Sequence, residues 1–460
     1  MRPELLTRID VDAAARYILD ERFWIQEKWD AERLLVRRSR APAVAIVNII
    51  SHEIQPITYL EQPAPNTKAT RRISDIGWCK SETEVYLGYA SNPDNVPLRS
   101  YDDYELHSGR WTNNRPLLAN PCLPFSQEGD VYISENLNQA PVLSGKRTGA
   151  KNAVLLWDPN PQLASVALGN ASLYQWRDKD GNLWSGILAL PPDYNRNQRY
   201  PLVIQTHGFE PLKFFADGRY TTGSGGRALC ARGIAVLQVD QPMKYFGNER
   251  DGSFQTEGFE SAIEQLDKDG VIDPHRVGII GFSFTCFHVL YALIHRPDLF
   301  VAASITDGNN LSYLQYLLWA DIPFAQEFAE QMNGGIPFGA GLSTWARSAP
   351  GFNVDKIRTP LLISALEKDA LVGEWEIYAG LRRLKKPVDM LWLRNENVPH
   401  VLVQPEQRFL SQQTAVDWFD FWLNRQEDLD NSKAALYKRW RELRDNAFDK
   451  EINPLQHDLR

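Results

Sequence analysis

Gly281-Phe-Ser283 closes the apolar run Val277 to Ile280, and the chain then passes at once into helical spacing, with Phe287, Leu290, Tyr291 and Ile294 on one face. That order reads as a strand, a sharp turn and a helix. A serine at such a turn is held in a strained conformation, its hydroxyl beyond the sheet edge and a helix N-terminus beneath it, which suits a nucleophile. The pattern departs from Gly-x-Ser-x-Gly at its last position, where Thr285 stands. The competing reading of Ser283 is a buried serine capping a core helix. Cys286, one turn into the helix, reads as a small core residue rather than a rival nucleophile.

A serine nucleophile needs a base, an acid to orient it, and donors for the oxyanion. The strand Leu361–Leu366 runs into Glu367-Lys-Asp369, and the strand Val388–Leu393 leads to a loop carrying His400. Ser, Asp, His is the chain order of the α/β-hydrolase triad, which makes Ser283, Asp369 and His400 the candidate catalytic set, with Glu367 as the substitute acid. Asp307 and Asp240 also follow strands, but neither holds the place expected for the acid, and both read as helix caps or turn residues. The oxyanion donors are the backbone N–H of Phe284 and the turn His207-Gly208-Phe209-Glu210 after the strand Pro201–Thr206. Whether the His207 backbone or its ring donates stays open. His288 and His295 lie on the helix after the serine, and His295, near its C-terminus, suits an interaction with the helix dipole.

These residues need a scaffold that brings strand ends together. From about residue 160 onwards strands and helices alternate: Tyr200–His207, Ile234–Val239, Phe300–Ile305, Leu361–Leu366 and Val388–Leu393 as strands, Glu257–Leu266 and Glu374–Leu384 as helices, and a long helical stretch from Pro405. The alternation predicts an α/β fold, a mostly parallel sheet with helices on both faces, in which reactive groups gather at the carboxyl ends of the strands. Before it, short β-prone pieces separated by Pro, Asn, Asp and Gly predict a smaller all-β region. The expected organisation is a helical segment over 1–40, the β-rich region over 41–160, the α/β domain over 161–428 and a helical tail over 429–460.

Composition excludes several classes. With 43% hydrophobic and 23% charged residues in 460, the chain is that of an ordinary globular protein, and a net charge of −8 argues against a nucleic-acid partner. Four scattered cysteines form no Cys-x-x-Cys pair and no metal-ligand spacing, so no metal is expected. Cys79 and Cys122 are either a disulfide of an exported chain or two free thiols. Gly223-Ser-Gly-Gly226 lacks the Lys-Ser/Thr of a phosphate loop, and no cofactor is expected. No run of 18 apolar residues occurs, so no membrane span is expected. The charged N-terminus carries no signal-peptide pattern, which points to the cytoplasm for the chain as given, or to the periplasm or secretion if its start is missing.

Taken together, Tyr200-Pro-Leu-Val-Ile-Gln-Thr-His-Gly208, Ile272-Asp-Pro-His-Arg-Val-Gly-Ile-Ile-Gly-Phe-Ser283, Thr359-Pro-Leu-Leu-Ile-Ser364, Asp369-Ala-Leu-Val372, His400 and Ala415-Val-Asp-Trp-Phe-Asp-Phe-Trp-Leu423 resemble the prolyl oligopeptidase family of serine peptidases. The resemblance covers residues 160 to 425. It implies an α/β-hydrolase domain preceded by a β-propeller that limits access to peptides, with Ser283 as nucleophile, His400 as base, Asp369 as its orienter, Phe284 as an oxyanion donor and His207 beside the oxyanion. A propeller blade takes roughly 40–50 residues, so the β-prone stretch here suffices only for a partial, propeller-like region. The altered elbow and the Tyr437-Lys-Arg-Trp-Arg-Glu-Leu-Arg444 run are similar to the bacterial branch that includes lasso-peptide isopeptidases.

The expected activity is hydrolysis of a peptide or isopeptide bond through an acyl-enzyme on Ser283, with a peptide as the partner. A carboxylesterase using the same triad and an inactive hydrolase fold acting as a binding module are the alternatives. Oligomeric state cannot be read from the chain.

Overall fold

Alternating side chains build the strands of one part of this molecule and continuous apolar runs those of the other, as expected for sheets exposed on one face and buried on both. The computed structural model describes residues 83–87, 102–113, 131–147, 149–366, 370–393 and 398–446 in full, and beyond them the backbone of further strands and helix ends. Two compact units result, 1–130 with 146–152, and 131–145 with 153–460.

The first unit holds two antiparallel sheets. One has three strands, β1 (Arg16–Asp20), β2 (Pro42–Asn48) and β3 (Ile54–Tyr59). The other is a four-stranded meander, β4 (Arg72–Trp78), β5 (Glu84–Ala90), β6 (Ser100–His107) and β7 (Arg110–Leu117). Val85 and Leu87 alternate along β5 and are buried. Where helical spacing predicted a helix, β1 is a strand with Tyr17 opposite Val47 and Ile18 opposite Ile46. There the backbone pairing with β2 overrides the helical spacing of the sequence. The rest of the expected helical segment, and both Cys79 and Cys122, lie outside the described residues.

The second unit begins with a small antiparallel sheet of β8 (Asp130–Asn136), β9 (Gln139–Lys146) and β10 (Val154–Trp157). Its main element has eight strands: β11 (Ala171–Arg177), β12 (Leu183–Ala189), β13 (Tyr200–Gln205), β14 (Ala235–Val239), β15 (Ile272–Phe282), β16 (Ala302–Thr306), β17 (Leu361–Ala365) and β18 (Val388–Trp392). Their spatial order is β11-β12-β14-β13-β15-β16-β17-β18. β12 pairs antiparallel with both β11 and β14, and the remaining pairs are parallel.

Successive residues of the central strands point into two different cores. Leu202, Ile204, Val277 and Ile279 belong to one, Val203, Val236 and Ile280 to the other. Helices α1 (Gly226–Ala231), α2 (Asp251–Lys268) and α3 (Thr285–His295) follow β13, β14 and β15. The first core packs under α2 and α3 through Phe259, Ile263, Val289 and Leu293. Between β16 and β17 the chain forms α4 (Tyr313–Leu318), α5 (Pro323–Asn333) and α6 (Leu342–Ser348), and α7 (Lys368–Arg383) follows β17. After β18 come α8 (Pro405–Phe419) and α9 (Ala434–Ile452). Trp418 and Phe419 of α8 and Trp440 of α9 are fully buried in the second core. Burying a large apolar side chain contributes about 1.5–3 kcal/mol, so the C-terminal helix is an integral part of this unit. Among the described residues no helix is long and apolar enough to cross a membrane.

Candidate active site

Ser283 occupies the turn between β15 and α3 with φ +54°, a left-handed conformation that costs a non-glycine residue about 1–3 kcal/mol. Three backbone hydrogen bonds hold it there. Its N–H donates to the Thr306 carbonyl at 3.2 Å, and its carbonyl accepts from Cys286 and Asn309, each at 3.1 Å. The turn is therefore tied to the end of β16 as well as to its own helix.

Thr285 fits because the close approach of strand to helix is carried by Gly281. A Cβ there would stand 2.9 Å from Val289 Cγ2 and 3.0 Å from Cys286 Cα. Thr285 itself is buried and fully bonded: its Oγ1 donates to the Phe282 carbonyl at 2.7 Å, accepts the Phe282 N–H at 3.0 Å, and accepts from Thr206 Oγ1 at 2.6 Å. The threonine thus links the elbow to the end of β13.

His400 reaches the same corner from the loop after β18. Its ring stacks on Phe282, the neighbour of Ser283, with centroids 4.6 Å apart and planes at 24°. Thr222 fixes the loop, its hydroxyl donating to the His400 carbonyl at 3.1 Å and accepting the Leu402 N–H at 2.9 Å. The His400 side chain is 49% exposed, and its Nδ1 lies 2.5 Å from Oδ2 of Asp307, which is 7% exposed. An exposed imidazole leaning on a buried carboxylate keeps one nitrogen fixed and leaves the other for a proton in transit.

Asp307 is a residue that sequence reasoning set aside as a cap or turn. It follows β16 with φ +49°, and its N–H donates to the Ser364 carbonyl at 2.9 Å. The signal that could have found it is its position: a carboxylate at the carboxyl end of the strand adjacent to β15, followed by a glycine. Asp369 falls in the first turn of α7, and its side chain lies outside the described residues, as does that of Glu367. Asp240 is bonded at its own turn, its carboxylate accepting the Gln241 N–H at 2.9 Å.

The oxyanion candidates converge on the elbow from two sides. Phe284 has φ −59° and ψ −29° and precedes α3, so its N–H is among those a helix N-terminus leaves without an intrahelical acceptor. Its ring belongs to an aromatic wall with Phe246 and Phe328, at centroid distances of 5.1 and 5.3 Å. His207 and Gly208 form a left-handed pair, φ +80° and +83°, after β13. The Gly208 N–H is engaged by the Val239 carbonyl at 3.0 Å, so this glycine supplies the turn. The His207 ring packs against Phe282 and Tyr220, with Nδ1 3.3 Å from Gln241 Oε1. Burial lowers its pKa, against the opposing Gln241 contact, and the charge of Arg219 lowers it further.

The other histidines of α3 have structural partners. His295 Nδ1 lies 2.9 Å from the Tyr291 carbonyl, in keeping with its place at the helix C-terminus. His288 Nε2 lies 3.1 Å from Asp251 Oδ2, with both side chains 1% exposed. Cys230 and Cys286 are buried free thiols, and burial pushes Cys230 up to about 12.

Residues 246–426 match the prolyl oligopeptidase family. The lasso peptide isopeptidase AtxE2 of Asticcacaulis excentricus is 31% identical over 312 residues, 63% of this chain and 43% of that protein. Dipeptidyl-peptidase 5 of Porphyromonas gingivalis is 24% identical over 263 residues, 53% of this chain and 36% of its own length. The chain thus spans less than half the length of these curated relatives. Among solved structures, AtxE2 isopeptidase, apo and with Astexin3-dC4 bound, superposes with a TM-score of 0.60 at 20% identity, over 94% of this chain and 77% of that one. The acylaminoacyl peptidase of Pyrococcus horikoshii gives 0.55 at 15% identity, over 85% and 61%. The shared fold is the α/β hydrolase, with its mostly parallel eight-stranded sheet.

Proposed function

From the match of residues 246–426 to the prolyl oligopeptidase family, we propose that the molecule is a serine peptidase of that family and hydrolyses peptide or isopeptide bonds through an acyl-enzyme on Ser283. The observation that carries the reading is the contact of His400 Nδ1 with Asp307 at 2.5 Å, beside a serine in strained left-handed backbone. His400 Nε2 takes the Ser283 proton as Oγ attacks the carbonyl carbon, and the developing oxyanion receives the Phe284 N–H, with the His207 turn flanking it. The imidazolium returns its proton to the departing amine. Water, deprotonated by the same nitrogen, then releases the acid and restores the serine. Asp307 takes the orienting role on the strength of its contact, and Asp369, the acid that chain order favours, is the alternative. The isopeptide reading draws on the named activity of the 31% identical relative.

Labelling with a fluorophosphonate, read by intact mass, tests the proposal. The parent protein should gain one adduct, and Ser283→Ala and His400→Ala should gain none. Asp307→Asn should slow labelling by about 10³–10⁴-fold while Asp369→Asn leaves it near the parent rate; the reverse pattern returns the acid to Asp369. A folded parent that does not label favours the inactive binding module. Linear peptides, a lasso peptide and simple esters offered to the labelling-competent protein then separate peptidase, isopeptidase and esterase.

A further inference from the structure

Glu374 sits on α7 with no exposed surface, and the reaction as described does not use it. Its Oε1 accepts the N–H of Gly308, the residue after Asp307, at 2.8 Å. Its Oε2 is buried without a hydrogen-bond partner, and so is Oδ1 of Asp307, whose other oxygen holds His400. Each of these two buried acceptors lacks one hydrogen.

We propose that Glu374 carries a proton and donates it in a hydrogen bond to Asp307 Oδ1, forming a chain Glu374–Asp307–His400 in which Glu374 positions the carboxylate and leaves it the one anion of the cluster. The inference rests on the reading of His400 and Asp307 as base and orienting acid. One proton satisfies both orphaned oxygens. Two ionised carboxylates sealed together would each pay for a desolvated charge and for their repulsion. Burial raises the Glu374 pKa well above the usual carboxylate range, the Gly308 hydrogen bond opposes this, and the Asp307 charge adds to the rise. The titratable groups around it are Asp307 after β16, His400 beyond that, and Cys286 of α3, whose Sγ lies 3.5 Å from the Thr306 carbonyl and whose thiol burial keeps protonated.

The loop is built to hold this geometry. A Cβ on Gly308 would come within 2.6 Å of Cys286 Cβ and 3.4 Å of Glu374 Oε1. Gln315 donates to the Gly308 carbonyl at 2.8 Å and accepts the N–H groups of Asn310 and Leu311 at 2.9 and 3.0 Å. These bonds pin the backbone that follows Asp307, and the Gly308 N–H holds the Glu374 carboxyl against it.

Infrared difference spectroscopy and kinetics on the full chain test the proposal. The carbonyl stretch of a protonated carboxylic acid should be present at pH 8, vanish in Glu374→Gln, and shift in Asp307→Asn. Glu374→Gln keeps an acceptor for Gly308 and a donor for Asp307, so kcat/KM should stay within about twofold and its acid limb should not move. Glu374→Leu removes both and should lower kcat about tenfold or more with KM little changed. Absence of the band in the parent overturns the proposal, as does its insensitivity to Asp307→Asn or an acid limb displaced by a unit or more in Glu374→Gln. The band is read without substrate. Failure of Ser283 to label therefore counts against the hydrolase reading alone, and a missing band against Glu374 alone.

Discussion

Among the described residues two histidines lean on an aspartate, and their surroundings suit them to opposite work. His400 and Asp307 meet at the mouth of the sheet, one half-exposed and the other nearly buried. His288 and Asp251 meet between α3 and α2 with both side chains sealed, and His288 Nδ1 is buried without a partner. A proton can enter and leave the first pair. The second pair joins two helices, braced by Gln255, whose Nε2 lies 3.4 Å from Asp251 Oδ1. The sealed pair lies close to the elbow, because His288 is one turn beyond Phe284 and meets its ring edge-on at 4.9 Å. Access, rather than pairing or proximity to the serine, separates a candidate base from a structural histidine.

Exchanging the two histidines for alanine sharpens that contrast. His400→Ala should lower kcat by roughly 10⁴-fold while the melting temperature barely moves, since half of the ring faces water and its loop is held by Thr222. His288→Ala should do the converse. It leaves Asp251 Oδ2 buried without its partner, a loss of about 1–3 kcal/mol in stability, and at a temperature where the variant is folded kcat should fall less than tenfold. Urea unfolding alongside steady-state kinetics checks both. If His288→Ala cost as much in kcat as His400→Ala, the division by access would be wrong.

How far the sequence revealed this arrangement depends on the range of each signal. Ser283 could be singled out as a candidate because a strand, a turn and a helix follow one another within twenty residues, and His400 because it stands in the loop after the last parallel strand. The parallel strands were legible from their unbroken apolar runs. Asp307 was not, since only the lateral order of strands brings the end of β16 beside β15 and under the His400 loop, and that order is not written in local pattern. The helices between β16 and β17 went unread for a related reason: their apolar residues face one another, as Tyr316, Met332 and Trp345 do, instead of the sheet. Thr285 departs from the glycine of the sequence pattern, and its place in the turn could not be read locally, because the close approach expected of that glycine is carried by Gly281.

That substitution offers a smaller effect on the same comparison. Thr285→Val keeps the shape but leaves the Phe282 N–H without its side-chain acceptor, so stability should fall by about 1–3 kcal/mol. Labelling of Ser283 at 25 °C should remain within a few fold of the parent rate, because the three backbone bonds at Ser283 are untouched. A rate loss far beyond the stability loss would instead make Thr285 part of the chemistry.

His207 tests the comparison where the effect is smallest, since it is an intermediate case, partly buried and without a carboxylate. Burial holds its pKa below the usual value, so the native ring stays neutral at a pH where the unfolded chain's imidazole, near about 6.5, begins to take up a proton. Below that pH the unfolded state binds more protons than the native one, and stability falls as pH falls. Above it the two states bind equally and His207 contributes no slope. His207→Gln removes the difference. Its melting temperature should therefore decline less than the parent's between pH 7 and pH 5, with the two curves parallel above pH 7. A steeper decline in the variant would mean that the native ring takes up a proton more readily than the unfolded chain's imidazole, and would overturn the reading of His207 as a ring kept neutral by burial.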